Sequence, residues 1–220
     1  MVEFNSDRHI LALSGGVGGS KLALGLSHCL TPQQLTVVVN TADDFEHLGL
    51  HISPDLDTLM YTLSGLNDTS RGWGLADESW ATLDALARLG EPTWFQLGDR
   101  DLATHLARSH QLKSGSTLSA VTAKLCASLG IAHPILPMTD DTVRSFIDTA
   151  SGMLSFQEYF VAQRCAPETR GIQLQGIESA RPQIGFQQLL RSPDLGAIVI
   201  GPSNPFAVSY THLTLPTIYS

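Results

Sequence analysis

The chain has 220 residues, of which 43% are apolar and 15% charged, and its formal net charge is −8. That length suits a single α/β domain with an ample core, and the thin charge suits strands buried on both faces of a parallel sheet. The acidic balance excludes a general affinity for nucleic acid, which needs a basic surface to displace counterions. It also means that any phosphate ligand calls for a divalent cation.

Cys29, Cys126 and Cys165 are odd in number and widely spaced, which excludes a disulfide framework or zinc site and favours a reducing cytosol. Met1 to His9 lacks the charged start and cleavage site of a signal peptide. No apolar stretch approaches the roughly 20 residues that span a bilayer. The expectation is a soluble, cytoplasmic protein.

Ile10 to Leu13 reads as a buried strand running into Ser14 and a glycine cluster. Lys21 to Leu30, with Leu22, Leu26 and Leu30 at four-residue spacing, reads as a helix. Leu35 to Val39 is a second buried strand, so the first forty residues form a βαβ unit with a right-handed crossover. Ser53-Pro54 supplies an N-cap and a proline at the first helical position, and Leu56, Leu59, Met60 and Leu63 make that helix's apolar stripe. Helices follow at Trp80 to Leu89, Leu102 to Leu112 and Thr117 to Leu129, the last stopped by Gly130. Ala132 to Leu136 reads as a strand, Phe156 to Ala162 as a strand or strand–loop mixture, and Ala197 to Ile200 as a last strand buried on both faces. This alternation predicts a Rossmann-like, doubly wound, mainly parallel sheet with ligands beyond the strands' carboxyl ends.

Five motifs can carry chemistry. In Ser14-Gly15-Gly16-Val17-Gly18-Gly19-Ser20-Lys21 the glycines allow backbone N–H groups to approach an anion at a helix N-terminus. The P-loop does not fit, because Ser20 precedes Lys21 and Leu22 follows it, and the dinucleotide fingerprint fails because Lys21 stands where its third glycine belongs. The plain alternative is a tight turn with Lys21 solvated. Asp43 and Asp44, at the end of the second strand, suit a ribose hydroxyl or Mg²⁺, against an ordinary Asx-turn. Asp55 and Asp57 favour a first helical turn whatever the function. Two residues apart, they do not readily serve one ligand, and periodicity does not choose between them. Arg100, between Asp99 and Asp101, can hold phosphate or make local ion pairs, and His105 alone reads as a helix-face residue. Gly201-Pro202-Ser203-Asn204-Pro205 has the make-up of a binding loop or a plain turn. Trp73 of GWG is either a stacking platform for a flat ring or a core residue.

Taken in order, GGVGGSKLALGL, VVVNTADD, ISPDLDTLMYTLSGL, GWG, LGDRDLATH, LPMTDD, FQEYFV and GPSNP resemble the 2-phospho-L-lactate transferase family from about Ile10 to Phe206. The resemblance implies Mg²⁺-dependent transfer of a phospholactyl, phosphoenolpyruvyl or phosphoglyceryl unit from a guanosine diphospho-conjugate to the deazaflavin Fo, releasing GMP, in coenzyme F-420 biosynthesis. It implies Fo contacts at Asp57 and at Gln96, where a basic residue is common. Asp44 and Asp57 become catalytic and metal-associated carboxylates. Gly15, Gly16, Gly18, Gly19, Lys21, Ser203 and Asn204 face the nucleotide diphosphate, with Arg100 and Trp73 as further substrate contacts. The partners expected are these small molecules, with no nucleic acid and no membrane, and a homodimer as a possible assembly.

After Phe206-Ala207 the likeness stops. Residues 1–207 are therefore expected to be the N-terminal part of one transferase domain, and residues 208–220 a foreign tail. The matching expectations are a sheet incomplete at its C-terminus, marginal folding and no turnover. Two rival readings are a regulatory nucleotide-sugar-binding relative without catalysis, and a nicotinamide oxidoreductase using Asp43 as its ribose acid. The missing third glycine counts against the second.

Overall fold

The computed structural model describes residues 8–203. In chain order the elements are β1 (His9–Ser14), α1 (Gly16–Cys29), β2 (Leu35–Val39), β3 (Phe45–His47), β4 (Leu50–Ile52), α2 (Pro54–Leu63), α3 (Ala81–Leu89), α4 (Asp99–Lys113) and α5 (Leu118–Ser128). Then come β5 (Ile135–Pro137), β6 (Arg144–Thr149), β7 (Gly152–Ser155), a π-helical turn (Glu158–Ala162), β8 (Thr169–Gln175), α6 (Ile184–Leu190) and β9 (Leu195–Ile200). Asn204 and the 208–220 tail lie outside the described residues.

β-branched and apolar runs make the central sheet, all parallel, in the order β5-β2-β1-β9. Alternation splits its residues between two cores. Ile10, Ala12, Leu35, Val37 and Val39 pack with Ala23 of α1, Leu56, Leu59 and Met60 of α2, and Leu118 and Cys126 of α5. Leu11, Leu13 and Val38 face the other way, against Met138, Val143, Ala180 and Phe186. Helices thus cover both faces, as a doubly wound sheet requires. β2 and β5 lie on one side of β1 and β9 on the other, so the strand order reverses at β1. Ligand crevices open at such a point, beyond the carboxyl ends of the strands.

Three sequence expectations need correction. The helix after β1 starts at Gly16, five residues before Lys21. Gly16 takes φ +55°, a conformation that costs glycine little, and the glycine-rich segment is the helix's first turn. Residues 158–162 form a π-helical turn, not strand. β9 is not buried on both faces: Ala197 and Val199 pack on the first core, while Ile198 and Ile200 stay 47% and 51% exposed. Of the β9 side chains, only Leu195 packs on the second core. Among the described residues β9 is a sheet edge, paired with β1 alone.

A β3–β4 hairpin and an antiparallel sheet in the order β7-β6-β8 flank the main sheet. No helix of the described residues is long and apolar enough to cross a membrane.

Candidate active site

A cavity of about 740 Å³ opens at the β1/β9 reversal. Gly15, Gly16 and Gly18 line one side with Pro202 and Ser203, Asp43, Asp55 and Asp57 line its base, and aromatic side chains close the rest. The packing explains the glycines. A Cβ on Gly18 would lie 2.5 Å from the carbonyl oxygen of Pro202, and one on Gly19 would lie 2.5 Å from Ser14 Oγ. Gly201 N–H donates to Leu13 O at 2.8 Å, tying the two loops together. Gly18→Ala is therefore expected to push the 201–203 loop away and to cost about 1–3 kcal/mol, read as a lowered midpoint in urea unfolding.

At the end of β2, Asn40 organises the acids. Its Nδ2 donates to Asp43 Oδ2 and to Asp55 Oδ2, each at 3.0 Å, and its Oδ1 accepts from Ala42 N at 3.1 Å. Burial raises both carboxyl groups: Asp43 stands well above the usual range, with Asp55 adding repulsion, and Asp55 is pushed up to about 6 against the hydrogen bonds from Asn40 and Gly16. Ser53 sits at the N-cap of α2 without capping it. Its hydroxyl donates instead to Asp44 Oδ2 at 2.8 Å, which His51 Nε2 also approaches at 3.1 Å. Asp43 Oδ1 and Asp44 Oδ1 are buried without a hydrogen-bond partner.

Among the described residues no three His, Cys, Asp or Glu side chains are grouped to hold a metal ion. Mg²⁺ commonly needs only one or two carboxylates, with substrate phosphates and water completing its shell. Asp43 and Asp55 fit that requirement. They are hard oxygen donors on the cavity, both raised by burial, with Asp55 adding repulsion at Asp43 and with Asp43 Oδ1 left without a hydrogen-bond partner.

Asp57 is held differently from Asp55, as the two-residue spacing anticipates. Arg108 of α4, buried beneath the cavity, bonds both of its oxygens: Nη1 donates to Oδ2 at 3.0 Å and Nη2 pairs with Oδ1. His105 completes the network, its Nδ1 3.7 Å from Asp57 Oδ2 and its Nε2 3.1 Å from Asp101 Oδ2. Tyr61 Oη donates to Asp101 Oδ1 at 2.6 Å. His105 and Arg108 therefore belong to the site, although His105 read as a plain helix-face residue and Arg108 was missed. The spacing of Asp101, His105 and Arg108 at i, i+4 and i+7 puts three polar groups on one helical face, which is the available signal.

Trp73 lines the cavity and is 41% exposed, with the Arg71 guanidinium 5.0 Å from its ring centroid. Gln96 lines the same space. From the other side come Phe156 and Phe160, stacked at 5.7 Å with an interplanar angle of 8°.

Four expected contacts do not reach this cavity. Lys21 is solvent-exposed on α1, and Gly19 is packed behind the turn on Ser14. Asp44 turns to Ser53 and His51 and lines a smaller neighbouring cavity instead. Arg100 donates to Ala76 O at 2.8 Å, and its backbone N–H bonds Glu78. Asp99 caps the start of α3 through Ala81 N and Thr82 N. Of LGDRD only Asp101 touches the cavity, together with Gln96 just before the motif.

The family model described as 2-phospho-L-lactate transferase CofD matches residues 10–220. The chain is 42% identical over 214 residues to a phosphoenolpyruvate transferase of Streptomyces griseus subsp. griseus, covering 95% of this chain and 67% of that protein. It is 39% identical over 207 residues to a 2-phospho-L-lactate transferase of Methanosarcina mazei, covering 94% and 68%. A solved member of the UPF0052 family from Bacillus halodurans shares the fold, with a TM-score of 0.60 at 17% identity over 96% of this chain and 64% of that one. The chain thus spans about two thirds of the length of these proteins. A match across nearly all of the chain, at about two residues in five, shows that the chain belongs to the 2-phospho-L-lactate transferase family.

Proposed function

We propose that this chain takes part in transfer of a phosphorylated three-carbon acid from a guanosine diphospho-conjugate to the ribityl hydroxyl of the deazaflavin Fo, with release of GMP, as a step of coenzyme F-420 formation. The observation that carries the reading is one cavity that joins a glycine turn, an Asp43/Asp55 pair and an exposed indole. The family membership and the relatives' names support it.

In this reading the glycine turn and the 202–203 loop receive the diphosphate, since helix N-termini favour anions. Asp43 and Asp55, rather than Asp44 and Asp57, hold Mg²⁺, which neutralises charge on the diphosphate. Asp57, fixed by Arg108, presents a rigid acceptor to the polar edge of Fo, Gln96 adds a second polar contact, and Trp73 stacks on the ring. The hydroxyl oxygen attacks the acyl-bearing phosphorus, the phosphoanhydride bond to GMP breaks, and the hydroxyl proton passes to a carboxylate of the cavity. Alignment of those atoms supplies much of the rate.

The test is fluorescence titration of Fo, followed by mass spectrometry of products formed with the donor and Mg²⁺. Fo binding that weakens roughly tenfold in Trp73→Leu, with the fold retained, is expected from loss of a stacking contact worth about 1–1.5 kcal/mol. Absence of Fo binding together with affinity for a uridine diphospho-sugar would instead favour a regulatory relative.

A further inference from the structure

A second cavity, of about 300 Å³, adjoins the main one, and the two share Asp43, Trp94, Phe156 and Gln157 in their linings. Its volume lies at the small end of the range for ligand sites. Four acids line it, Asp43, Asp44, Glu46 and Glu158, against one cation, Arg144 at the start of β6. Even so, Arg144 forms no ion pair with any of them.

Three of the four acids accept hydrogen bonds from other groups through one oxygen each. Glu158 Oε2 accepts from Ser155 N at 2.9 Å and Ser155 Oγ at 2.8 Å. Asp44 takes the Ser53 hydroxyl and His51, and Asp43 takes Asn40. Glu46 lies on the exposed side of β3. Arg144 itself is anchored by one nitrogen only: Nη1 donates to Val143 O at 2.7 Å and to Thr41 O at 3.4 Å. The Nε and Nη2 groups make no hydrogen bond among the described residues. A guanidinium fixed at one corner and open along its Nε–Nη2 edge presents the fork that a carboxylate fills bidentately.

We propose that this smaller cavity is the subsite for the carboxylate of the transferred phosphoacid, with Arg144 as its anchor. The inference rests on the transferase reading above and deepens it. The phosphoenolpyruvyl and phospholactyl groups share a carboxylate one carbon from the phosphoester oxygen. With the phosphate at Asp43, where the two cavities meet, that carboxylate extends into the smaller one. The surrounding acids repel any anion that does not reach Arg144, so the subsite selects for a short acid in one orientation.

The test is equilibrium binding, by calorimetry in the presence of Mg²⁺, of phosphoenolpyruvate and of the carboxylate-free ethyl phosphate, with Fo titrated in parallel. The native protein should bind phosphoenolpyruvate at least roughly tenfold more tightly, the yield of one charge-assisted pair. Arg144→Gln should abolish that preference and leave ethyl phosphate and Fo unchanged. Arg144→Lys keeps the charge and a donor to the Thr41 and Val143 carbonyls, so it covers the case in which the glutamine variant folds poorly. Loss of the planar fork should cut its preference at least about threefold. A preference kept in full by both variants, or absent from the native protein, would overturn the subsite. Failure of native Fo binding with an Arg144-dependent preference intact would overturn the transferase reading and leave the subsite standing.

Discussion

Arg108→Ala is expected to destabilise the protein by about 3–5 kcal/mol, since it strands the Asp57 carboxylate in a buried site without its partner. Arg108 is 1% exposed and both Asp57 oxygens depend on it. Its charge persists despite burial because Asp57 lies against it. For a chain of this size the loss amounts to roughly 10 °C in Tm, and urea unfolding at pH 7 measures it directly. The paired replacement Asp57→Leu with Arg108→Met separates stability from function. Well-packed apolar substitutes for a buried ion pair are often near neutral, so the double variant should melt within a few degrees of the native protein. Its Fo affinity should nevertheless fall, because the acceptor offered to the ring's polar edge is gone. A double variant as unstable as Arg108→Ala would show that the network holds the α2–α4 packing in a way that apolar side chains cannot replace.

The parts of the fold that follow hydrophobic period were legible in the sequence. Ile10 to Leu13 and Leu35 to Val39 read as buried parallel strands, and the Leu56–Leu59–Met60 stripe fixed the inward face of α2. The start of α1 was misplaced because glycine is a poor helix former. What sets that start is tertiary: Gly18 and Gly19 pack against Pro202 and Ser14 more closely than any Cβ permits. The β3–β4 hairpin was missed because three-residue strands are too short to show a period. In β6 the inward positions include Ser145 and Thr149, so polar burial erases the alternation that would mark a half-buried strand.

The site was half legible for the same reason. Adjacent acids at a strand end and acids in a first helical turn pointed to Asp43, Asp44, Asp55 and Asp57. Which oxygen faces the cavity depends on Asn40, Ser53 and Arg108, contacts made across 3 to 51 residues of chain. Local spacing contains no information about them. Arg100 and Lys21 show the converse error. Each is a cation beside a plausible anion site in sequence, yet Arg100 is held by the Ala76 carbonyl and Lys21 points to solvent.

Asp55→Asn should make the protein more stable and less active. In the folded chain Asp55 titrates at about 6, raised by burial from the model-peptide value of 3.8. Below about pH 4 the group is protonated in both the folded and unfolded states and its ionisation has no effect on stability. Between about pH 4 and 6 the unfolded chain gives up the proton while the folded one keeps it, so stability falls as pH rises; above about 6 the full cost is present. Two pH units correspond to on the order of 3 kcal/mol. An asparagine, isosteric and able to accept from Asn40 through its Oδ1 but not from Gly16 through its Nδ2, should recover about 1–2 kcal/mol of this at pH 7 and none at pH 4. Urea unfolding in chelator at both pH values measures the difference without interference from Mg²⁺. In the presence of Fo and donor, the same change removes one of the two carboxylates proposed to hold the cation. Measured in a protein of the relatives' full length that carries this chain, turnover should drop roughly a hundredfold or more, since a bound metal is worth several kcal/mol of charge stabilisation, and higher Mg²⁺ should restore part of it. A variant that gains stability at neutral pH but keeps native turnover and Mg²⁺ dependence would remove Asp55 from the cation site and leave its strain unexplained by catalysis. A variant that loses activity with no gain in stability would mean that the Asn40-bridged pair is relieved in the folded protein by something other than protonation.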